Sequence, residues 1–390
     1  MKEKVKTVPE LRFKGFTDDW EQCELGDVVD NVGTGRSSFK INDSKSDENP
    51  YEILGSTSVI GYDDSYDHEG SFILTARVGA NAGTLYTHSG QVKITDNTVF
   101  IQSKQLSFLY NLLIKEDLKK LAFGTGQPLV KASELKNLKL KFPTTDEEQE
   151  EIGTFFRTLD ITITLHQRKL ELLKTLKQAY LQNLFPENGD KVPRVRFSNF
   201  TEDWEQYTVS DFALETYGGG TPRTTIEEYW NGDIDWLQSS DIAEHEVFSA
   251  VAKKHITLEG VQKSATKLIP ANSIAIVTRV GVGKLAFMPK EYATSQDFLS
   301  LSKLKVDAQF GVYSLYKKLQ NELHAVQGTS IKGITKEELL SKRIFVPKNI
   351  EEQTAIGNFF SILDHTITFH QRKLESLQSL KKSLLQKMFI

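Results

Sequence analysis

From Asp146 to Leu184 the apolar side chains recur at alternating steps of four and three, at Ile152, Phe156, Leu159, Ile163, Leu170 and Leu173, with His166 on the same stripe. The pattern returns at Ile356, Phe360, Leu363, Ile367, His370, Leu374 and Leu377, each 204 residues further on (364 − 160 for the matched aspartates). Such an alternation is the seam of a coiled coil, so two long helices that pair antiparallel within one chain are expected. Beyond Leu173 the best apolar continuation is Leu176, Tyr180 and Leu184, matched by Leu380, Leu384 and Met388, which predicts a local stutter. Thr145 with Glu148, and Asn349 with Glu352, are spaced as capping boxes, and each start follows a proline, Pro143 or Pro347. An unbroken helix over 146–184 would be about 58 Å long at about 1.5 Å per residue. The Thr-rich DITIT stretch is a weak helix former, so a break near Asp160 stays open.

The remaining chain consists of short β-branched runs punctuated by turn residues, again twice over. The first copy has YEILGSTSVIGYDD, SFILTARVGANAGTLYT and ITDNTVFIQ, then a helical pattern near LSFLYNLLIKEDLKKLA. The second has DIDWLQSSDI, NSIAIVTRVGVGKLAFM and ATSQDFLSLS, then FGVYSLYKKLQNEL. A matched head opens each copy, VPELRFKGFTDDWEQ at Val8 and VPRVRFSNFTEDWEQ at Val192. The heads are offset by 192 − 8 = 184 and the helices by 204, so the second middle has gained 204 − 184 = 20 residues. DITITLHQRKLELLKTL and DHTITFHQRKLESLQSL agree at twelve of seventeen positions, so the helix is held while the middle diverges. The expected fold class is α+β with an internal pseudo-two-fold duplication. Two mixed α/β domains, 1–145 and 188–349, are separated by two long helices, 146–187 and 350–390, that form an antiparallel coiled coil.

Composition changes this picture little. In 390 residues, 39% apolar and 26% charged is ordinary for a soluble protein. Cys23 is the single cysteine, which excludes an intramolecular disulfide framework and any multi-cysteine zinc site. No apolar run reaches bilayer length and no signal-peptide pattern opens the chain, so a cytoplasmic location is expected. A net charge of −4 does not mark a nucleic-acid binder unless basic residues gather on one face. Lys253, Lys254, Lys263 and Lys267 are candidates for such a face, with Asp63, Asp64, Asp67 and Glu69 turned elsewhere.

Candidate chemistry concentrates in glycine-rich turns. Arg77 in TARVGANAG and Arg279 in VTRVGVGK stand at strand ends beside glycines, which let backbone approach a phosphate or a guanine edge; Lys284 closes the second motif. A tight hairpin with a surface arginine explains the same spacing equally well. In GGGTPRTTIEEYWNGDIDWLQSSDI the glycines form a pliable loop and Thr221 and Arg223 offer polar contacts, whereas Tyr229, Trp230 and Trp236 suit burial. VGTGRSS takes that place in the first copy, with Thr34 and Arg36 as counterparts. QPLVKASELK and SIKGITKEELL, after Gly124 and Gly328, are a second pair of polar loops. His166 and His370, in a repeated HQRKLE, read as register residues rather than metal ligands, since neither has a cysteine or second histidine at ligand spacing. Arg168, Lys169, Glu171, Arg372, Lys373 and Glu375 form either a solvated face or a docking surface. Catalytic motifs are missing: GVGK has Thr278 where a Walker A glycine belongs, FGTG at Phe123 is too short for a cofactor loop, and NPYE at Asn49 only approaches a methyltransferase motif. With no catalytic residue and no metal site expected, the chain reads as a binder.

In order and duplication these motifs resemble the specificity subunits of type I restriction-modification systems. The resemblance covers nearly the whole chain: a VPxxRFxxFxxxWEQ head, a middle with GGTPRTTxxxYWNGDIxW and an R-V-G-x-x-G turn, and a PxxxEEQxxIGxFFxxLDxxITxHQRKLxxL helix. It implies two target-recognition domains, each reading half of an asymmetric bipartite target in double-stranded DNA. Thr34, Arg36 and Arg77 would serve the first half, and Thr221, Arg223, Arg279 and Lys284 the second. The helices would space the domains and dock two methyltransferase (modification) subunits, with His166, Arg168, Lys169, His370, Arg372 and Lys373 on or near the seam. Those subunits would bring S-adenosylmethionine and methylate adenine, a restriction translocase would be a further partner, and this chain would carry no cofactor. The first domain lacks the TPRT and YW pattern. Two other readings stay open, a stand-alone DNA-modifying enzyme with unrecognised motifs and an interaction protein whose coiled coil joins two domains that do not bind DNA.

Overall fold

The computed structural model describes residues 7–122, 128–187, 189–244, 246–248, 250–325 and 333–390. Gly124 and Gly328, and the FGTG segment, lie outside them. The chain forms two compact units, one of residues 1–167 with 372–390 and one of residues 168–371. Each unit therefore combines a mixed domain with half of each long helix.

In the first unit the chain order is β1 (Glu21–Glu24), α1 (Leu25–Val28), β2 (Asn31–Thr34), β3 (Tyr51–Leu54), β4 (Val59–Asp63), β5 (His68–Ala76), β6 (Leu85–Ile94), β7 (Thr98–Gln102), α2 (Leu106–Glu116), α3 (Ala132–Lys136) and β8 (Lys139–Phe142), leading into α4 (Asp146–Asn183). Six strands form one sheet in the order β2-β7-β5-β6-β3-β4. Its central strand β5 runs buried from Phe72 to Ala76, the unbroken apolar run expected of a strand covered on both faces. A separate antiparallel pair, β1 with β8, joins the WEQ head to the strand before the long helix, Glu21 opposite Phe142.

The second unit repeats this plan with one break. It contains β9 (Glu205–Thr208), β10 (Ala213–Gly218), β11 (Trp230–Leu237), β12 (Lys254–Ile256), α5 (Leu258–Gln262), β13 (Ser273–Val277), β14 (Leu285–Met288), β15 (Ala293–Thr294), β16 (Phe298–Leu304), α6 (Ala308–Ala325), α7 (Lys336–Leu340), β17 (Arg343–Val346) and the start of α8 (Ile350–Met388). The order β10-β16-β13-β14 matches β2-β7-β5-β6, and β9 pairs β17 as β1 pairs β8. The ten-residue β6 has two short counterparts, β14 and β15, and the interruption between them leaves β12-β11-β15 as a sheet of its own.

Both long helices are unbroken, so no break occurs at the Thr-rich stretch. Thr158, Thr162 and Thr164 donate their hydroxyls to the carbonyls of Thr154, Thr158 and Asp160 at 2.8–2.9 Å, satisfying within the helix the groups that would otherwise favour a turn. In the first unit Phe156 meets Phe389 and Asp160 meets Lys381 (2.6 Å); in the second, Lys177 meets Asp364 (2.6 Å) and Tyr180 meets Phe359. In each unit the numbering of α8 falls as that of α4 rises, so the pairing is antiparallel. The expected stutter does not occur. Leu176 and Leu380 are 42% and 48% exposed, and the four-three alternation continues through Lys177 and Lys381 instead. A lysine fits the seam because its aliphatic stem packs while its ammonium meets an aspartate across the pair.

The capping boxes form only in part. Thr145 Oγ1 accepts from the Glu148 N–H at 3.4 Å and Asn349 Oδ1 from the Glu351 N–H at 2.7 Å. The Glu148 and Glu352 carboxylates do not return to the cap. Glu148 takes a two-pronged bond from Arg12, both contacts 2.7 Å, and a third from Trp20 Nε1 at 3.4 Å. Glu352 does the same with Arg196 (2.7 and 2.8 Å) and Trp204 (3.2 Å). The matched RF and WEQ heads thus exist to clamp one buried glutamate at the start of each helix. The last turns close the cores: Phe389 packs with Trp20, Phe108 and Phe156 in the first unit, and Phe185 with Trp204, Phe310 and Phe360 in the second.

Candidate nucleic-acid interface

In the first unit three loops meet at one end of the sheet, where β2 and β5 finish and β6 and β7 begin. Arg77 donates its backbone N–H to Asn97 O (2.9 Å), its carbonyl accepts from Val130 N (2.8 Å), and its Nη1 reaches Asp96 O (3.4 Å). The Arg77 hairpin turns through Gly79 and Gly83, at φ +86° and +82°, which glycine adopts without strain. Gly35 passes so close to the opposite turn that a Cβ there would lie 2.3 Å from the carbonyl oxygens of Ile94 and Thr95. Arg36 is exposed and Thr34 half-buried.

The second unit builds the same end from β10, β13, β14 and β16. Thr278 and Arg279 donate their N–H groups to Asp297 O at 2.7 and 3.3 Å. The loop after β10 is pinned three ways: Gly220 N to Thr294 O (2.9 Å), Trp236 Nε1 to Gly220 O (3.0 Å) and Thr221 Oγ1 to Gln296 Oε1 (2.7 Å). A Cβ at Gly219 would lie 1.8 Å from Ser295 O. Arg223 and Arg279 are exposed. Lys284 lies at the far side of the hairpin, 3.6 Å from Glu244, on the wall of a 230 Å³ cavity that Tyr316 and Gln320 also line. Arg279 is thus an exposed cation on a tight hairpin, whereas Arg77 is half-buried, its guanidinium turned onto the Asp96 carbonyl.

The sequence of this chain matches the profile described as "Type I restriction modification DNA specificity domain" twice, over residues 17–175 and 201–379. The chain belongs to that family of specificity subunits. It is 23% identical to the type I restriction enzyme MjaVIII specificity subunit of Methanocaldococcus jannaschii over 98% of this chain and 95% of that protein. It is 29% identical to the MjaIX specificity subunit of the same organism, over 48% of this chain and 44% of that protein. The crystal structure of a type I restriction-modification system S subunit from M. genitalium shares the fold, with a TM-score of 0.67 and 15% identity over 98% of this chain and 99% of that one.

Other features of this specificity-family chain sit differently from expectation. The strand registers set Thr34 opposite Val99 and Gly218 opposite Leu299, which aligns Thr34 with Gly218. Thr34 and Arg36 are therefore not the positional counterparts of Thr221 and Arg223, which lie further along a longer loop. Asp96, Asn97, Gln296 and Asp297 also stand at these sheet ends, and their only sequence signal is a polar doublet between two strand runs. Asp63 is not a surface acid. Burial alone would raise its pKa, but N–H donors of Lys40 and Ser65 and the Ser65 hydroxyl hold it well below the usual carboxylate range. Of the lysines in the second middle, Lys254 lies over Trp230 and Trp236, and Lys263 and Lys253 lie 2.6 and 4.0 Å from Glu259 and Asp241. Trp236 and Tyr229 are buried.

On the helices, His370 is buried and His166 half-buried along the seam, while Arg168, Lys169, Arg372 and Lys373 are exposed. Among the described residues no group of three or more His, Cys, Asp or Glu is placed to hold a metal, and no helix is long and apolar enough to cross a membrane.

Proposed function

We propose that this chain reads DNA with both sheet ends, one for each half of an asymmetric target, and leaves the chemistry to partner subunits. What carries the reading is the pair of matching loop clusters, each with an arginine on a glycine hairpin, while the side chains around it differ. Arginine on a rigid turn is suited to phosphate and base edges, and unlike surroundings call for unlike half-sites. Helices α4 and α8 each pass without a break from one unit into the other, which couples helix length to the gap between half-sites. Their exposed faces, with Arg168, Lys169, Arg372 and Lys373, would dock two modification subunits that bind S-adenosylmethionine and methylate adenine, with a restriction translocase as a further partner. The test is to map methylated adenines in cells with and without the gene. An asymmetric two-part motif with a fixed gap should vanish with it. Methyl transfer by the purified chain alone, or no DNA binding in the presence of its cognate modification subunit, would overturn the proposal.

A further inference from the structure

Arg77 and Arg279 stand at matching strand ends but one register position apart: Arg77 donates its N–H to Asn97 O, and in the second unit Thr278 takes that place, donating to Asp297 O at 2.7 Å, with the Arg279 N–H on the same oxygen at 3.3 Å. An arginine carried by both sheet ends does not by itself make two half-sites different. The neighbouring residue can. Registers that align Leu54 with Leu237, and Ile94 with Thr294, align Asp96 with Gln296, and both are exposed at the sheet end.

Gln296 is held rather than free. Thr221 donates to its Oε1 at 2.7 Å, and the Thr221 loop is itself tied down at Gly220 by Thr294 O and Trp236 Nε1. Asp297 turns its carboxylate back onto the Ser295 hydroxyl at 3.4 Å, so Gln296 is the residue that projects. Held this way, the carboxamide presents its NH₂ and the second lone pair of Oε1, the donor and acceptor that match N7 and N6 of adenine in the major groove. Asp96 offers acceptors only, which match the N4 amino group of cytosine. Its carboxylate has no hydrogen-bond or ionic partner among the described residues, while its carbonyl accepts from Arg77 Nη1.

We infer that Gln296, positioned by Thr221, and Asp96 discriminate bases in the second and first half-sites, and that Arg77 and Arg279 bind phosphate in both. This rests on the DNA-reading function proposed above. The test assembles the full chain with its cognate modification subunits and selects bound duplexes from a randomised library. A wild-type complex that selects no two-part sequence overturns that function and this assignment with it. Where wild type selects one, Gln296→Ala should make a single adenine position of the second half-site degenerate, with discrimination falling roughly 5- to 150-fold. The first half-site should stay intact, and Asp96→Ala should do the converse at one cytosine. Thr221→Val keeps the side-chain shape and should lose part of the same discrimination at the same position, which general damage to the fold would not produce. Arg279→Ala should weaken binding to all sequences alike and lower the salt slope by about one. A second half-site recovered unchanged from both the Gln296 and Thr221 variants overturns the assignment, as does a base-specific loss in Arg279→Ala.

Discussion

Replacing Arg12 by alanine should cost the first unit far more than an exposed ion pair is worth. Glu148 is 1% exposed and the Arg12 side chain 12%, so water cannot take over the lost contacts. The hydrogen bond to Glu148 raises the Arg12 pKa above its ordinary value. Of the three bonds Glu148 accepts, Arg12→Ala removes two and leaves only the longer one from Trp20 Nε1. Stranding a buried carboxylate in this way costs about 3–5 kcal/mol, or a fall of about 6–20 °C in Tm for a unit of this size. Calorimetry of the full chain should show the loss, and Arg196→Ala should reproduce it in the second unit, where the same clamp recurs on Glu352. The double variant Arg12→Met with Glu148→Leu should cost less than Arg12→Ala alone, because no charge is left stranded. A loss under about 1 kcal/mol, or a double variant as costly as the sum of its parts, would refute the reasoning.

The seam lysines should not be equivalent despite their matched positions: Lys177→Ala, which leaves the largely buried Asp364 without its cation and with only the Tyr313 hydroxyl bond, should cost about 3 kcal/mol, whereas Lys381→Ala, facing the more exposed Asp160, should cost about 1 kcal/mol, both read from urea midpoints. Burial pushes Tyr292 and Tyr316 up to about 12, and burial with the nearby Asp364 raises Tyr313 further. The folded chain then keeps protons that the unfolded chain releases near pH 10, so this stability is complete below about pH 10 and lost as pH rises toward 12. Urea midpoints from pH 9 to 11.5 should fall accordingly, and less steeply in Tyr316→Phe; equal slopes would count against the tyrosines. One heptad inserted after Gln167 and another after Gln371 keep the seam in register and lengthen each helix by about 10.5 Å. The mapped target gap should grow by about three base pairs at about 3.4 Å each, with both half-sites unchanged; altered half-sites around an unchanged gap would rule the coupling out.

Periodic burial was legible before any coordinates: Ile152, Phe156, Ile163, Leu170 and Leu374 are buried where the four-three alternation puts them, and the strand runs became strands. Lys177 escaped because an apolar pattern registers the charge at the tip of a side chain and not the aspartate that meets it, which is 187 residues further on (364 − 177). Spacing points Glu148 to its nearest partner, the cap, whereas its carboxylate bonds Arg12, 136 residues away in the chain. Asp96 and Gln296 carried no pattern, since exposed turn residues answer to no period.

By itself the sequence determined that the chain is a duplication, that each copy ends in a long amphipathic helix, and that arginine-bearing glycine turns stand at matched strand ends. Only the tertiary structure decided that β6 stays whole in one unit and splits in the other, that the heads serve to hold Glu148 and Glu352, and that Thr221 reaches Gln296 across 75 residues (296 − 221). The division has a physical cause. Helix and strand periods are local records of which face is buried, whereas an ion pair or a loop cluster depends on strand register and packing that bring distant residues together.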